Sequence, residues 1–208
     1  MPFLWNVFRV VVFVLALLPF LWLVYGAAVG SLGADPADAL ALETGRWSLR
    51  FLLISLAITP LRELTGLNRL VRLRRMLGLY ALFYASLHLL VYLMFLLEWR
   101  WSEILEDIAQ RPYITVGFLA FLILAALGAT STKGMVRRLG KRWKRLHRLV
   151  YLAAGLALLH LLWIVQQDLT DVVIYGSITA LLMGYRLYRA AWLRRFLRQR
   201  FPARTGLH

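Results

Sequence analysis

Six apolar stretches, at about 8–29, 47–61, 76–97, 112–130, 147–166 and 172–191, recur along a chain of 208 residues. Their length is the strongest constraint on the fold. A helix rises 1.5 Å per residue, so about 20 apolar residues cross the roughly 30 Å of a bilayer's hydrocarbon core. None of the stretches alternates apolar and polar residues, which a membrane β-barrel would require. Backbone polar groups in lipid must be bonded internally, and helices do this within a single stretch. The expectation is an all-α integral membrane bundle of six transmembrane helices. It forms one domain over residues 1–208 with a basic tail at 192–208. The second stretch is the shortest, closes around Pro60, and has an alternative start nearer Thr44.

Composition agrees. Hydrophobic residues make up 61% of the chain, against about 45–50% in soluble domains. A soluble core of this size cannot hide that much apolar surface. The first stretch, Val10 to Val29 behind Arg9, is longer than the apolar core of a secretion signal. Ala27-Ala28-Val29-Gly30 is a loose cleavage site, so the stretch is read as a span.

The intervening segments alternate in charge. Segment 30–46 carries Asp35, Asp38 and Glu43; segment 98–111 carries Glu98, Glu103, Glu106 and Asp107; the turn 167–171 carries Asp168 and Asp171. Between them, 62–75 carries Arg62, Arg69, Arg72, Arg74 and Arg75, and 131–148 carries eight Lys and Arg. The tail adds Arg194, Arg195, Arg198, Arg200 and Arg204. Lys and Arg mark the cytoplasmic side, so both termini are expected there. Of the ten acidic residues only Glu63 falls outside the segments assigned to the opposite face. The net charge of +15 is therefore a topology and lipid-headgroup signal, not a nucleic-acid one. No segment between spans is long enough for a soluble domain. The chain lacks cysteine, which excludes disulfides, thiol catalysis and cysteine-ligated clusters.

Ionisable side chains inside a span mark function by default, because burying them is costly. His88 lies ten residues before Glu98 and His160 eight before Asp168, on spans that run in the same direction. At 1.5 Å per residue the two imidazoles differ in depth by only about 3 Å. Both fall in the outer half. Two imidazoles at one depth on different helices suit the axial ligation of a haem. His147 precedes His160 by 13 residues, about 20 Å lower and about 140° around an ideal helix. A bulge, a frayed helix start or a different site would account for it. The matching level of the third span offers Arg74 or Arg75, not histidine. Arg50 either snorkels to headgroups or pairs with a haem propionate. Trp47, Trp99, Trp101 and Trp163 read as interfacial belts. His208 is terminal and uninformative.

Four blocks look familiar: Thr44-Gly45-Arg46-Trp47 with Ile58-Thr59-Pro60-Leu61-Arg62; Arg74-Arg75-Met76-Leu77-Gly78-Leu79-Tyr80 with Leu87-His88; Arg111-Pro112-Tyr113-Ile114; and Trp143-Lys144-Arg145-Leu146-His147-Arg148-Leu149-Val150-Tyr151 with His160. From about residue 8 to 195 the chain resembles the MsrQ (YedZ-type) family, within the broader ferric-reductase-like transmembrane domains. Members are the haem-binding membrane subunits of bacterial methionine-sulfoxide reductase systems. The resemblance implies haem b and FMN as cofactors and a place in the bacterial inner membrane. It implies electrons drawn from quinone or a cytoplasmic flavin reductase and passed to MsrP, a periplasmic molybdopterin enzyme. MsrP performs the sulfoxide reduction in oxidised envelope proteins, so this chain is expected to carry electrons. The family's histidines map onto His88, His147 and His160, and its arginine onto Arg74. No flavin fingerprint is legible. The alternatives are a ferric or quinone reductase acting on small acceptors, and a cofactor-free transporter or scaffold. The latter would need matched Gly/Pro-broken spans, which the sequence lacks.

Overall fold

The computed structural model describes residues 2–165 and 168–200, with side chains for 3–165 and 168–192. The tail arginines 194, 195, 198, 200 and 204, and His208, lie outside the described side chains. Among the described residues every regular element is helical. The helices are α1 (Pro2–Ala28), α2 (Pro36–Thr65), α3 (Val71–Val91), α4 (Trp101–Gln110), α5 (Pro112–Ala129), α6 (Lys133–Leu139), α7 (Lys141–Leu146), α8 (Val150–Ile164) and α9 (Thr170–Arg200). Single 3₁₀ turns at Asn68–Leu70 and His147–Leu149 lead into α3 and α8, and a wider π turn, Tyr92–Leu96, ends α3.

Among the described residues, four helical stretches are long and apolar enough to cross a membrane: Phe3–Ala28, Asn68–Leu96, Pro112–Ala129 and Lys141–Ile164. α2 and α9 are longer, at 30 and 31 residues. Their sequences are interrupted by charges, Arg46 and Arg50 on α2 and Arg186 and Arg189 on α9.

Local signals set the boundaries. The Asp35 carboxylate accepts from the Asp38 N–H at 3.0 Å and Pro36 opens α2, so that helix begins well before the apolar run. The segment 36–46, expected as a connection, is its first three turns. Charged residues there pair along the helix, Arg46 with Glu43 at 2.8 Å. Gly66 ends α2 at φ +72°, a conformation that glycine adopts without penalty. Segment 98–111, also expected as a connection, holds α4, which turns Ile104 and Asp107 inward and leaves Trp101 and Leu105 exposed.

The bundle is built from two helical hairpins, α2–α3 and α5–α8, joined through α3 against α5; α9 lies on α8 and α2, and α1 on α2 and α3. Ala81, Ala153 and Ala154 are wholly buried, and small residues at such points let helices approach closely. Leu52, Leu56 and Tyr84 fill the centre, while Leu21, Trp22, Leu122 and Leu181 face outward. Trp47, read as part of an interfacial belt, is half-buried. It packs on Phe51 and Tyr84 at the edge of the core.

Tyr84 repairs a proline defect. Pro19 inside α1 disturbs the preceding turn. The Phe20 N–H donates to the Tyr84 hydroxyl at 3.0 Å, and that hydroxyl donates to the Ala16 carbonyl at 2.9 Å. The phenol is thus spliced into the ladder between residues 16 and 20.

A candidate site of two crossed histidines

His88 sits in the last turn of α3 and His160 in the last turns of α8. Each ring reaches across its own hairpin. His88 Nδ1 is 2.8 Å from the Ala41 carbonyl of α2, and His160 Nδ1 is 2.6 Å from the Tyr113 carbonyl of α5. A carbonyl can only accept, so in each ring Nδ1 carries the proton and Nε2 is left with its lone pair.

A glycine makes each reach possible. A Cβ on Gly45 would stand 3.2 Å from His88 Nδ1, and one on Gly117 would stand 2.6 Å from His160 Nδ1. The imidazoles therefore lie flat on bare helix backbone, one turn below the carbonyls that hold them. Gly45 and Gly117, Ala41 and Tyr113, and His88 and His160 are all separated by 72 positions. The two hairpins repeat one arrangement, and it aims the two rings at each other. Their centroids are 6.1 Å apart and their planes cross at 82°. Two metal–imidazole bonds of about 2 Å each, plus about 1 Å from each nitrogen to its ring centre, sum to roughly 6 Å. The pair is thus spaced to bind one metal ion from opposite sides.

The remaining ligands of such an ion are not supplied by side chains. Among the described residues no group of three or more His, Asp or Glu is placed to hold a metal. Two imidazoles with no further side-chain ligand among the described residues would suit a metal whose other ligands come from a macrocycle, which is haem chemistry. They do not suit a structural or catalytic zinc site, which takes three or four protein ligands.

Asp107 braces the site. Its carboxylate accepts from the Tyr92 hydroxyl at 2.8 Å and pairs with Arg111 Nε at 3.2 Å. Tyr92 follows His88 by one turn and Arg111 precedes Tyr113 by two residues. This carboxylate therefore ties α3, which carries His88, to the start of α5, whose Tyr113 carbonyl holds the His160 ring. It was read from sequence only as one of four outer acids; its spacing four residues before Arg111 was the available signal.

The other expected site residues lie elsewhere. His147 opens the 3₁₀ turn before α8, so the 140° offset of an ideal helix does not apply. Its ring stacks on Trp143 at 4.0 Å, and Nε2 is 3.2 Å from the Thr130 hydroxyl. Arg74 is half-buried and near enough to His147 for its charge to be felt there, while Arg75 is exposed. Arg50 is half-buried and pairs with Glu43 at 3.8 Å. It donates to the Tyr175 hydroxyl at 2.8 Å and lies 4.5 Å over the Trp47 ring. Arg46, which sequence reading did not single out, joins α2 to α9 through Asp171 at 2.6 Å.

The fold and its histidine pair define a class of helical membrane protein. The family model described as "Ferric reductase like transmembrane component" matches residues 44–158, which include His88 and end two residues before His160. A relative in Xanthomonas euvesicatoria pv. vesicatoria is 51% identical over 84% of this chain and 80% of its own. One in Xanthomonas campestris pv. campestris is 53% identical over 79% and 76%. One in Polaromonas naphthalenivorans is 47% identical over 95% and 91%. All three are called protein-methionine-sulfoxide reductase heme-binding subunit MsrQ. The chain belongs to the MsrQ family of ferric-reductase-like transmembrane proteins.

Proposed function

We propose that this chain is the haem-binding membrane subunit of a methionine-sulfoxide reductase system, carrying electrons outward across the inner membrane to an MsrP-type molybdopterin enzyme. The single observation that carries the reading is the crossed pair, His88 and His160, with Nδ1 of each ring anchored and the centroids 6.1 Å apart. The names of the relatives support haem as the ligand and methionine-sulfoxide repair as the setting.

On this reading α1, α2, α3, α5, α8 and α9 make six crossings of a single domain, with both termini cytoplasmic. The alternation of basic and acidic segments supports that orientation. The histidines then fall in the outer half, on the side of the electron acceptor.

Haem b, when bound, supplies a reversible one-electron carrier. The protein's part is to hold it. His88 and His160 would hold it through Nε2, and the Ala41 and Tyr113 carbonyls fix the tautomer and raise ligand basicity. Gly45 and Gly117 keep the rings against the helices. Asp107, with Tyr92 and Arg111, keeps the two ligand-bearing hairpins in register. The apolar wall of the bundle excludes water. Quinone or a cytoplasmic flavin reductase is the proposed donor at the inner face. The FMN implied by the family resemblance has no residues assigned to it.

The test is direct. Protein purified in neutral detergent should carry haem b with a six-coordinate low-spin spectrum. Once reduced, it should be reoxidised by a periplasmic molybdopterin methionine-sulfoxide reductase in the presence of methionine sulfoxide. Reoxidation by chelated ferric iron but not by that enzyme would favour a reductase of small acceptors instead. A colourless protein would contradict the reading altogether.

A further inference from the structure

At the end of the bundle away from the histidine pair, the side chain of Arg186 on α9 turns inward. One terminal nitrogen donates to the Leu56 carbonyl at 2.8 Å, the other donates to the Tyr151 hydroxyl, and the guanidinium lies 4.9 Å over the Tyr151 ring. Leu56 is wholly buried, so this arginine is not reaching for lipid headgroups. Part of its role is structural. The Leu56 carbonyl would accept from residue 60, which is Pro60 and has no N–H. Arg186 fills that gap, but a neutral amide would fill it as well.

The charge is what this leaves unexplained. Both acceptors are neutral, and among the described residues no carboxylate forms an ion pair with Arg186. Its Nε–H is buried with no acceptor, and buried donors seldom lack one. A second cation is nearby: Arg74 is one of the charges that bear on Arg186, and the Ser55 hydroxyl, beside Leu56, donates to the Arg74 carbonyl at 3.2 Å. The acid whose charge bears on it, Glu63, is already engaged by Tyr185 at 2.6 Å, Arg62 at 3.4 Å and Arg189 at 3.5 Å. The Tyr151 hydroxyl accepts from Arg186 and so keeps its own proton to donate. An orphaned guanidinium N–H, a phenolic proton with no acceptor among the described residues and the nearby charge of Arg74 are met only by Glu63, whose carboxylate is already engaged. Such a cluster inside a helical bundle is costly unless a counter-charge joins it.

We propose that Arg186, Arg74 and Tyr151 form a binding site for an oxyanion, a phosphate or carboxylate group, at the inner end of the bundle. The planar guanidinium matches either group in two-point geometry. The site is independent of the histidine pair and of its occupant.

The experiment follows the thermal unfolding midpoint of the full chain in neutral detergent as inorganic phosphate is added. A parallel series uses nanodiscs of phosphatidylcholine with and without phosphatidylglycerol. Wild type should show a saturable rise. Arg186→Gln should weaken the apparent Kd about tenfold or more, and exposed Arg145→Gln should leave it unchanged. A response to free phosphate identifies a soluble oxyanion ligand. A response to phosphatidylglycerol alone identifies a lipid phosphate. Should Arg186→Gln fail to fold, Arg74→Gln carries the same test with the Leu56 carbonyl still capped. Equal responses in wild type and both variants, no response to either probe, or equal loss in Arg145→Gln would overturn the proposal.

Discussion

His88 and His160, 72 positions apart on different hairpins, face each other with ring planes crossed at 82°. Near-perpendicular imidazoles leave the iron d-orbitals that they donate into almost equal in energy, whereas parallel rings split them. The ferric protein should therefore show the strongly anisotropic low-spin EPR signal of crossed ligands. The ordinary rhombic signal of parallel rings would show that the ligands rotate on binding.

The two glycines under the rings should not be equally tolerant. Alanine at 117 would place a methyl 2.6 Å from His160 Nδ1, whereas alanine at 45 would stand at 3.2 Å from His88 Nδ1. Overpacking of this kind costs about 1–3 kcal/mol. Gly117→Ala should lose more haem per polypeptide than Gly45→Ala, measured from the reduced spectrum against protein concentration.

Tyr84→Phe should destabilise the bundle without touching the histidines. It leaves the Phe20 N–H and the Ala16 carbonyl without their bridging hydroxyl beside Pro19. The expected cost is about 1–3 kcal/mol, read as a lower unfolding midpoint with an unchanged haem spectrum.

Glu63, in the last turn of α2, should contribute a pH-dependent part of the stability. The Tyr185 hydroxyl holds its carboxyl below the ordinary range; burial opposes this, and Arg189 and Arg62 reinforce it. A carboxyl lowered in the folded state stabilises above its unfolded value of about 4.3, and that contribution is lost as pH falls through the lower folded value. The wild-type advantage over Glu63→Gln should be present at neutral pH and vanish on acidification below about pH 4.

Much of this was legible in the sequence. The apolar runs placed helices over all six stretches, and counting residues from the outer acids put His88 and His160 at one depth. The capped start of α2 at Asp35-Pro36 was also readable but was overshadowed by the charges that follow it. The second shell was harder. Ala41 and Tyr113 act through backbone carbonyls, which no side-chain pattern reveals. Gly45 and Gly117 show their purpose only once a ring lies on them, although the 43-residue glycine-to-histidine spacing occurs in both hairpins. Asp107 looked like surface charge because burial depends on how α4 folds back. Arg186 lies inside the last apolar stretch and was not singled out there; only the missing N–H of Pro60 explains where it points.

The central claim rests on two imidazoles holding one haem, and it is most directly tested by the reduced optical spectrum of purified His88→Ala and His160→Ala chains. The account predicts that each substitution abolishes the six-coordinate b-type spectrum of the outer haem while His147→Ala retains it. Either variant keeping a wild-type spectrum at wild-type haem content would contradict the account.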